Sequence, residues 1–162
     1  MALHTCFAKL STTLLAPLPS ASQQRLQLQL PSPQEDIWVL AHADLLSQAL
    51  GNLVSNALKY SQADVYVYAQ TQGEMLELCV RDYGAGVPAQ ALHQLTTPFF
   101  RLRNHQTKGL GLGLALSEHI VHSLAGSLHF CNQDDGFIAS IRLPRYYASD
   151  KLQNAELSQV PK

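Results

Sequence analysis

A chain of 162 residues, 46% hydrophobic and 14% charged, has the length of a single domain and enough apolar material for a core, which excludes a disordered protein. Its 11 Lys and Arg balance 12 Asp and Glu, so there is no basic excess for wholesale binding of nucleic acid or an anionic membrane surface, and any phosphate contact must be local. Cys6, Cys79 and Cys131 are odd in number, far apart and outside any C-x-x-C pair, so neither a disulfide framework nor a zinc site is indicated and a reducing compartment fits.

No apolar run reaches the roughly 18 residues of a membrane span. Lys9, the apolar stretch 10–18 and the small residues 20–22 crudely imitate a secretory signal, but Thr12, Thr13 and Pro17 interrupt it, and residues 2–15 read as an amphipathic helix entering a domain. Residues 25–30 alternate with period two, the mark of a strand with one buried face, and Pro31 and Pro33 end it. Residues 37–41 predict a second short strand, after which Asp44 is placed to cap a helix over 45–60. Strand patterns at 63–69 and 75–81 are joined by a hairpin connection, and Cys79 within the second reads as a small buried core residue, as does Cys131 further on.

A glycine-rich turn at 82–87 precedes a short helix opened by Pro88, a polar loop from Arg101 to Lys108, a helix over 112–124 and a last hairpin from 126–131 and 137–143. These elements predict an α+β fold, a two-layer α/β sandwich in which helices cover one face of a mostly antiparallel sheet. The expected organisation is a helix and linker at 1–23, one domain at 24–146 and a polar, aperiodic tail at 147–162.

Four chemistry-bearing elements follow in order. On the helix capped by Asp44, Asn52, Asn56, Lys59 and Tyr60 share one face opposite an apolar stripe of Leu46, Leu50, Leu53 and Ala57. Asparagines compete with the helix backbone for hydrogen bonds, so this stripe points to a ligand: an Asn carbonyl is a hard oxygen donor suited to Mg²⁺, and Lys is a point charge for phosphate. Asp82 ends a strand ahead of Gly84 and Gly86; this fits an ordinary turn and equally a carboxylate that accepts a hydrogen bond from an exocyclic amine. Phe99 and Phe100 read as a hinge packed on the core, and Arg101 and Arg103 as solvated charges or anion contacts. Gly109, Gly111 and Gly113 then run into a helix whose first N–H groups are free for an anion. The spacing is neither that of a P-loop nor that of a dinucleotide fingerprint.

In order and spacing, residues 48–60, 82–86, 98–101 and 109–113 resemble the N box, first glycine box, F box and second glycine box of the catalytic ATP-binding domain of bacterial sensor histidine kinases. The resemblance covers residues 24–144 and implies the Bergerat ATP-binding fold, with ATP between the helices and a flexible lid over 101–110. It implies Mg²⁺ on Asn56, phosphate contacts from Asn52, Lys59, Arg101 and Arg103, with Lys108 as a further neighbour, and base or ribose packing beside Tyr60. Asp82 would read the adenine amine, Gly84 and Gly86 would shape the base pocket, and Gly109, Gly111 and Gly113, with Leu110 and Leu112 between them, would form the lid hinge. Asn52, Lys59 and Arg101 are the expected catalytic residues. Thr96 stands where the F box usually has its first Phe, and Ala125 where a second Gly usually precedes the last hairpin.

The ATPase branches of the superfamily carry a water-activating Glu at the place of Asn52, and an amide cannot take that proton. Transfer of the γ-phosphoryl group to a protein nucleophile is therefore expected rather than hydrolysis. None of the seven histidines is followed by an acidic residue, as the family's phosphoacceptor is, so the acceptor is expected on a separate dimerisation domain, with relay to a response-regulator receiver domain. The expected cofactors are ATP and Mg²⁺, the expected site is cytoplasmic in a parent kinase anchored in the inner membrane, and a monomer without nucleic-acid partners is expected. Alternative readings are a stand-alone anti-sigma-type serine kinase or a non-catalytic nucleotide-binding module of the same fold.

Overall fold

The computed structural model describes residues 12, 18–29, 37–102 and 110–146. The predicted helix at 2–15, Thr12 apart, and the tail at 147–162 lie outside the described residues.

A short helix α1 (Ser20–Arg25) leads into β1 (Leu26–Gln29), and a long helix α2 (Ala43–Tyr60) precedes the hairpin of β2 (Val65–Gln72) and β3 (Met75–Asp82). A 3-10 turn (Ala89–Gln94), helix α3 (Gly113–Ser123) and the hairpin of β4 (Ser127–Gln133) and β5 (Gly136–Pro144) complete the described elements. The strands form one five-stranded sheet of order β1-β2-β3-β5-β4. Every neighbouring pair is antiparallel except β1 and β2, which pair in parallel with Leu26 opposite Val65 and are connected through α2. The mostly antiparallel sheet is as expected, with one parallel crossover at its edge that a reading by hairpins alone did not include.

Period-two alternation sorts β2 and β3 into two faces. Val65 and Val67 point inward with Leu76, Leu78 and Val80, while Tyr66, Tyr68, Glu77 and Arg81 take the opposite phase. The inward residues meet Leu46, Ala49, Leu50, Leu53 and Val54 of α2, and Ile120 and Val121 of α3 complete the core. On the outer face Glu77 accepts hydrogen bonds from Gln70 (2.8 Å), Ser140 (2.7 Å) and Arg142 (3.0 Å), joining β2, β3 and β5. Burial pushes its carboxyl up, but those three bonds and the Arg142 charge outweigh burial and bring it below the ordinary range.

Three expectations are corrected. Residues 37–41 contribute an isolated bridge from Trp38 to Tyr146 rather than a strand of the sheet. Asp44 lies within the first turn of α2, where its charge suits the helix dipole, and His42 holds the cap position without a side-chain cap bond. Cys79 is buried as expected, but Cys131 is exposed, because the outer face of β4 is uncovered there.

The C-terminal end of α2 is held by Arg25, whose guanidinium donates to the carbonyls of Ser61 (2.5 Å) and Ala63 (2.8 Å). That of α3 closes with the Ala125 N–H donating to His122 O (3.0 Å) and Gly126 N–H to Val121 O (2.9 Å), the paired bonds of a Schellman cap. Its left-handed position falls on Ala125, at φ +56°. A Cβ is strained there by about 1–2 kcal/mol, which accounts for the family's usual glycine. Ala125→Gly is therefore expected to stabilise the protein by about 1 kcal/mol, read as a rise of a few degrees in thermal midpoint.

Candidate functional site

Between α2, the turn after β3, the start of α3 and the inner faces of β4 and β5 lies a cavity of about 350 Å³. That is within the range of small-molecule sites, and its floor of Val80, Leu114, Phe130, Phe137 and Ala139 is apolar. Phe130 and Phe137 stack with ring centroids 6.1 Å apart. Asn52, Asn56, Lys59 and Tyr60 reach one wall from α2, Asp82 and Gly86 stand at the end of β3, and Arg101, Leu110, Gly111, Leu112 and Gly113 form the opposite rim. Arg103, Lys108 and Gly109 lie outside the described residues. The helix stripe, the carboxylate and the rim are thus brought to one volume although they are far apart in the chain.

Asp82 occupies the last inward position of β3, in phase with Leu76, Leu78 and Val80, and is only 6% exposed. Oδ1 accepts the Gly84 N–H at 2.8 Å, leaving Oδ2 without a hydrogen bond among the described residues. Burial raises its carboxyl above the ordinary aspartate range, and the Gly84 bond pulls the other way. Gly84 itself does not line the cavity; a Cβ there would sit 2.7 Å from the Tyr60 carbonyl, so glycine lets the turn lie against the end of α2.

Asn52 joins α2 to α3. Its Nδ2 donates to Gly113 O (3.0 Å) and to Ser117 Oγ (3.1 Å), and the buried Ser117 hydroxyl lies 3.2 Å from Ala49 O and 2.9 Å from Gly113 O. With both amide hydrogens committed, the free polar atom of Asn52 is its carbonyl oxygen, an acceptor. Asn56 lines the cavity with neither end of its amide hydrogen-bonded among the described residues, and Lys59 makes no ion pair among them. These same residues include no cluster of His, Cys, Asp or Glu suited to a metal. Two amide oxygens on the wall fit an ion that keeps most of its ligands as water and phosphate oxygens, as Mg²⁺ does.

The rim is stitched at its base by the Phe99 N–H, which donates to Gly111 O at 3.0 Å. Phe99 has φ +65° and is 71% exposed, an unusual backbone state for an aromatic residue. The expected packing of both phenylalanines on the core is not what the structure has: Phe99 is exposed, and Phe100 lines the cavity without joining the core cluster. Gly111, at φ +72°, lies so close that a Cβ would be 2.8 Å from Phe100 O. Val87, Phe130 and Phe137 also line the cavity, outside the four motifs. The two phenylalanines were legible only as alternating residues of the last hairpin, whose inward phase fixes where they point.

Residues 41–147 match the family of histidine kinase-, DNA gyrase B- and HSP90-like ATPases. Among relatives, the two-component sensor PprA of Pseudomonas aeruginosa is 31% identical over 75% of this chain and 14% of its own length. The sensor histidine kinase GtrS of the same organism is 39% identical over 62% of the chain and 21% of its own length. The chain therefore spans about a seventh to a fifth of these relatives. The fold is shared with the mycobacterial sensor histidine kinase MprB, at TM-score 0.71 and 23% identity over 90% of this chain and 97% of that one. It is shared too with the histidine kinase domain of the Escherichia coli osmosensor EnvZ, at TM-score 0.65 and 25% identity over 89% of this chain and 86% of that one. The chain belongs to the histidine kinase-, DNA gyrase B- and HSP90-like ATPase family. Within it, the relatives and the Bergerat-type sandwich define an ATP-binding catalytic domain of the sensor histidine kinase kind.

A buried carboxylate with a raised pKa works against folding when ionised, so what Asp82 contributes to stability is most favourable below the ordinary aspartate range and is lost as pH rises through its folded value. Asp82→Asn is accordingly expected to leave the nucleotide-free protein at least as stable as wild type near neutral pH. The advantage should shrink as pH falls through the raised folded value and be gone below the ordinary aspartate range, which thermal unfolding across pH reads.

Proposed function

We propose that this domain binds Mg-ATP and serves a two-component sensor kinase, passing the γ-phosphoryl group to a histidine on a separate dimerisation domain for relay to a response-regulator receiver domain. The observation that carries the reading is the convergence on one cavity of Asn52, Asn56, Lys59 and Arg101 with a buried, half-satisfied Asp82. Adenine would rest on the apolar floor with its exocyclic amine donating to Asp82, and Tyr60 would pack beside base or ribose. Lys59 and Arg101 are the described cations on the wall and would take the phosphates, with Arg103 and Lys108 as further contacts and Gly109, Gly111 and Gly113 as the lid hinge. Asn52 presents an acceptor, so it suits a metal-bound water better than a phosphate oxygen.

Asn56, with its free amide oxygen, is the residue that would hold Mg²⁺. When bound, the ion supplies neutralisation of charge on the β- and γ-phosphoryl oxygens. Asp82 is the only carboxylate among the described lining residues, and it sits at the base end. An amide at position 52 leaves water without a base there, which favours transfer over hydrolysis. In the transfer the bond from the γ-phosphorus to the β-phosphate oxygen breaks, a bond to the acceptor imidazole nitrogen forms, and ADP leaves. No helix among the described residues is long and apolar enough to cross a membrane. The reading puts the domain on the cytoplasmic side, where ATP is available, with anchorage in the inner membrane supplied by other parts of the parent kinase.

Calorimetry of ATP and ADP binding with and without Mg²⁺ tests the pocket. Wild type is expected to bind both nucleotides, Asp82→Asn to lose about ten- to a hundredfold through the missing charged hydrogen bond, and Asn56→Asp to weaken the Mg²⁺-dependent part. Absence of binding at millimolar nucleotide would overturn the reading. Labelled phosphate moved to a dimerisation-domain protein should be acid-labile, as phosphohistidine is; an acid-stable product would point instead to the serine kinase alternative.

A further inference from the structure

We infer that Asn132, which lies on no wall of the cavity, is the positioning residue that gives the base end of the site its preference for adenine. The inference rests on the reading of that end as an adenine pocket. Both ends of its amide engage the two backbone groups of one residue: Oδ1 accepts the Val87 N–H at 2.9 Å, and Nδ2 donates to Val87 O at 2.7 Å. A side chain thereby reproduces the bond pair of a strand neighbour, and it does so where the glycine turn has left the sheet.

The register explains why this matters for Asp82. Phe137 of β5 is opposite Asp82 of β3 on one side and opposite Asn132 of β4 on the other. The three residues form one row on one face of the sheet, with the carboxylate at one end and the clamp at the other. The turn departs from β3 at Asp82 and is caught again at Val87 by Asn132, two strands away, so both ends of the segment that carries Ala85, Gly86 and Val87 to the cavity are tied to the same row. The approach is close: at Gly86 an ideal Cβ would lie 2.6 Å from Asn132 Oδ1. Fixing Val87 sets the spacing between the turn and Asp82, and a base whose edge does not offer a donor to Asp82 at that spacing is penalised.

The test compares ATP with ITP, in which a carbonyl replaces the exocyclic amine of adenine, by calorimetry on the whole chain. Wild type is expected to prefer ATP. Asn132→Ala is expected to weaken ATP about fivefold, the size of effect set by one or two partly exposed hydrogen bonds, while leaving ITP nearly unchanged. Asn132→Asp keeps the acceptor for Val87 N–H but sets a charge against Val87 O, and should lose at least as much of the preference. The exposed position makes both variants expected to keep the wild-type thermal midpoint within a few degrees. A lowered midpoint with the ATP-to-ITP ratio intact would reduce Asn132 to a structural tie and overturn the inference. A wild type that binds both nucleotides equally would instead overturn the adenine reading, and the inference with it.

Discussion

Because Leu46, Leu50, Leu53 and Ala57 are held between the sheet and α3, helix α2 has one rotational setting about its axis. A shift of a single residue would turn it by about 100° and carry Asn52 and Asn56 off the cavity wall. The hydrophobic effect thus sets the direction of the polar groups without touching them. What packing leaves undecided, the rotamer and the end-for-end sense of the Asn52 amide, is settled by Gly113 O and Ser117 Oγ. The same bonds tie α2 to the first turn of α3, so the wall that carries the asparagines and the rim that carries Gly113 move together.

The polar accounting of the cavity is deliberately incomplete. Glu77, on the outer face, has each of its demands met and its carboxyl lowered; Asp82, one register step beyond the apolar part of the same strand, has one oxygen satisfied and its carboxyl raised. Two acids five residues apart on β3 have opposite shifts because the strand's alternation puts one among donors and the other over an apolar floor. The first serves the sheet, and the second keeps an unmet acceptor that, in the proposed function, a ligand donor would satisfy. Strain is distributed in a similar way: Phe99 at φ +65° is bonded to Gly111 of the cavity rim, whereas Ala125 at φ +56° closes helix α3 and has a plain remedy in glycine.

Much of this was legible because it is periodic. The helix stripe, the two hairpins and Gly111 and Gly113 at the start of α3 are local patterns, and each lies where its period put it. Long-range outcomes were less legible. Residues 37–41 are apolar enough for a strand, but they make a single bridge, from Trp38 to Tyr146 just past β5, a long-range pairing. The parallel sense of β1 is decided by how the chain passes through α2, which no short window contains. Cys131 looks like its buried counterpart Cys79 in composition; it differs because β4 is an edge strand and β3 a central one. Asn132 stood out in no motif, since its importance arises from being opposite Phe137, itself opposite Asp82.

In the proposed reading one end of the cavity takes the base and the other the phosphates, and the two ends are built on different principles. At the base end, the turn is anchored to the sheet at Asp82 and at Val87, and the floor beneath it is the packed interior of three strands. At the phosphate end, the rim carries the Phe99–Gly111 bond between residues that both adopt positive φ, and Asn52 ties its Gly113 to α2. Binding free energy from burying and reading the base would be gained mainly on the turn and the packed floor. A kinase whose acceptor arrives on another domain needs this separation: the nucleotide must stay fixed by its base while its terminal phosphate is uncovered to an incoming imidazole. An ATPase, which must close water in with its own base, has no such need, and the amide at position 52 accords with the proposed transfer.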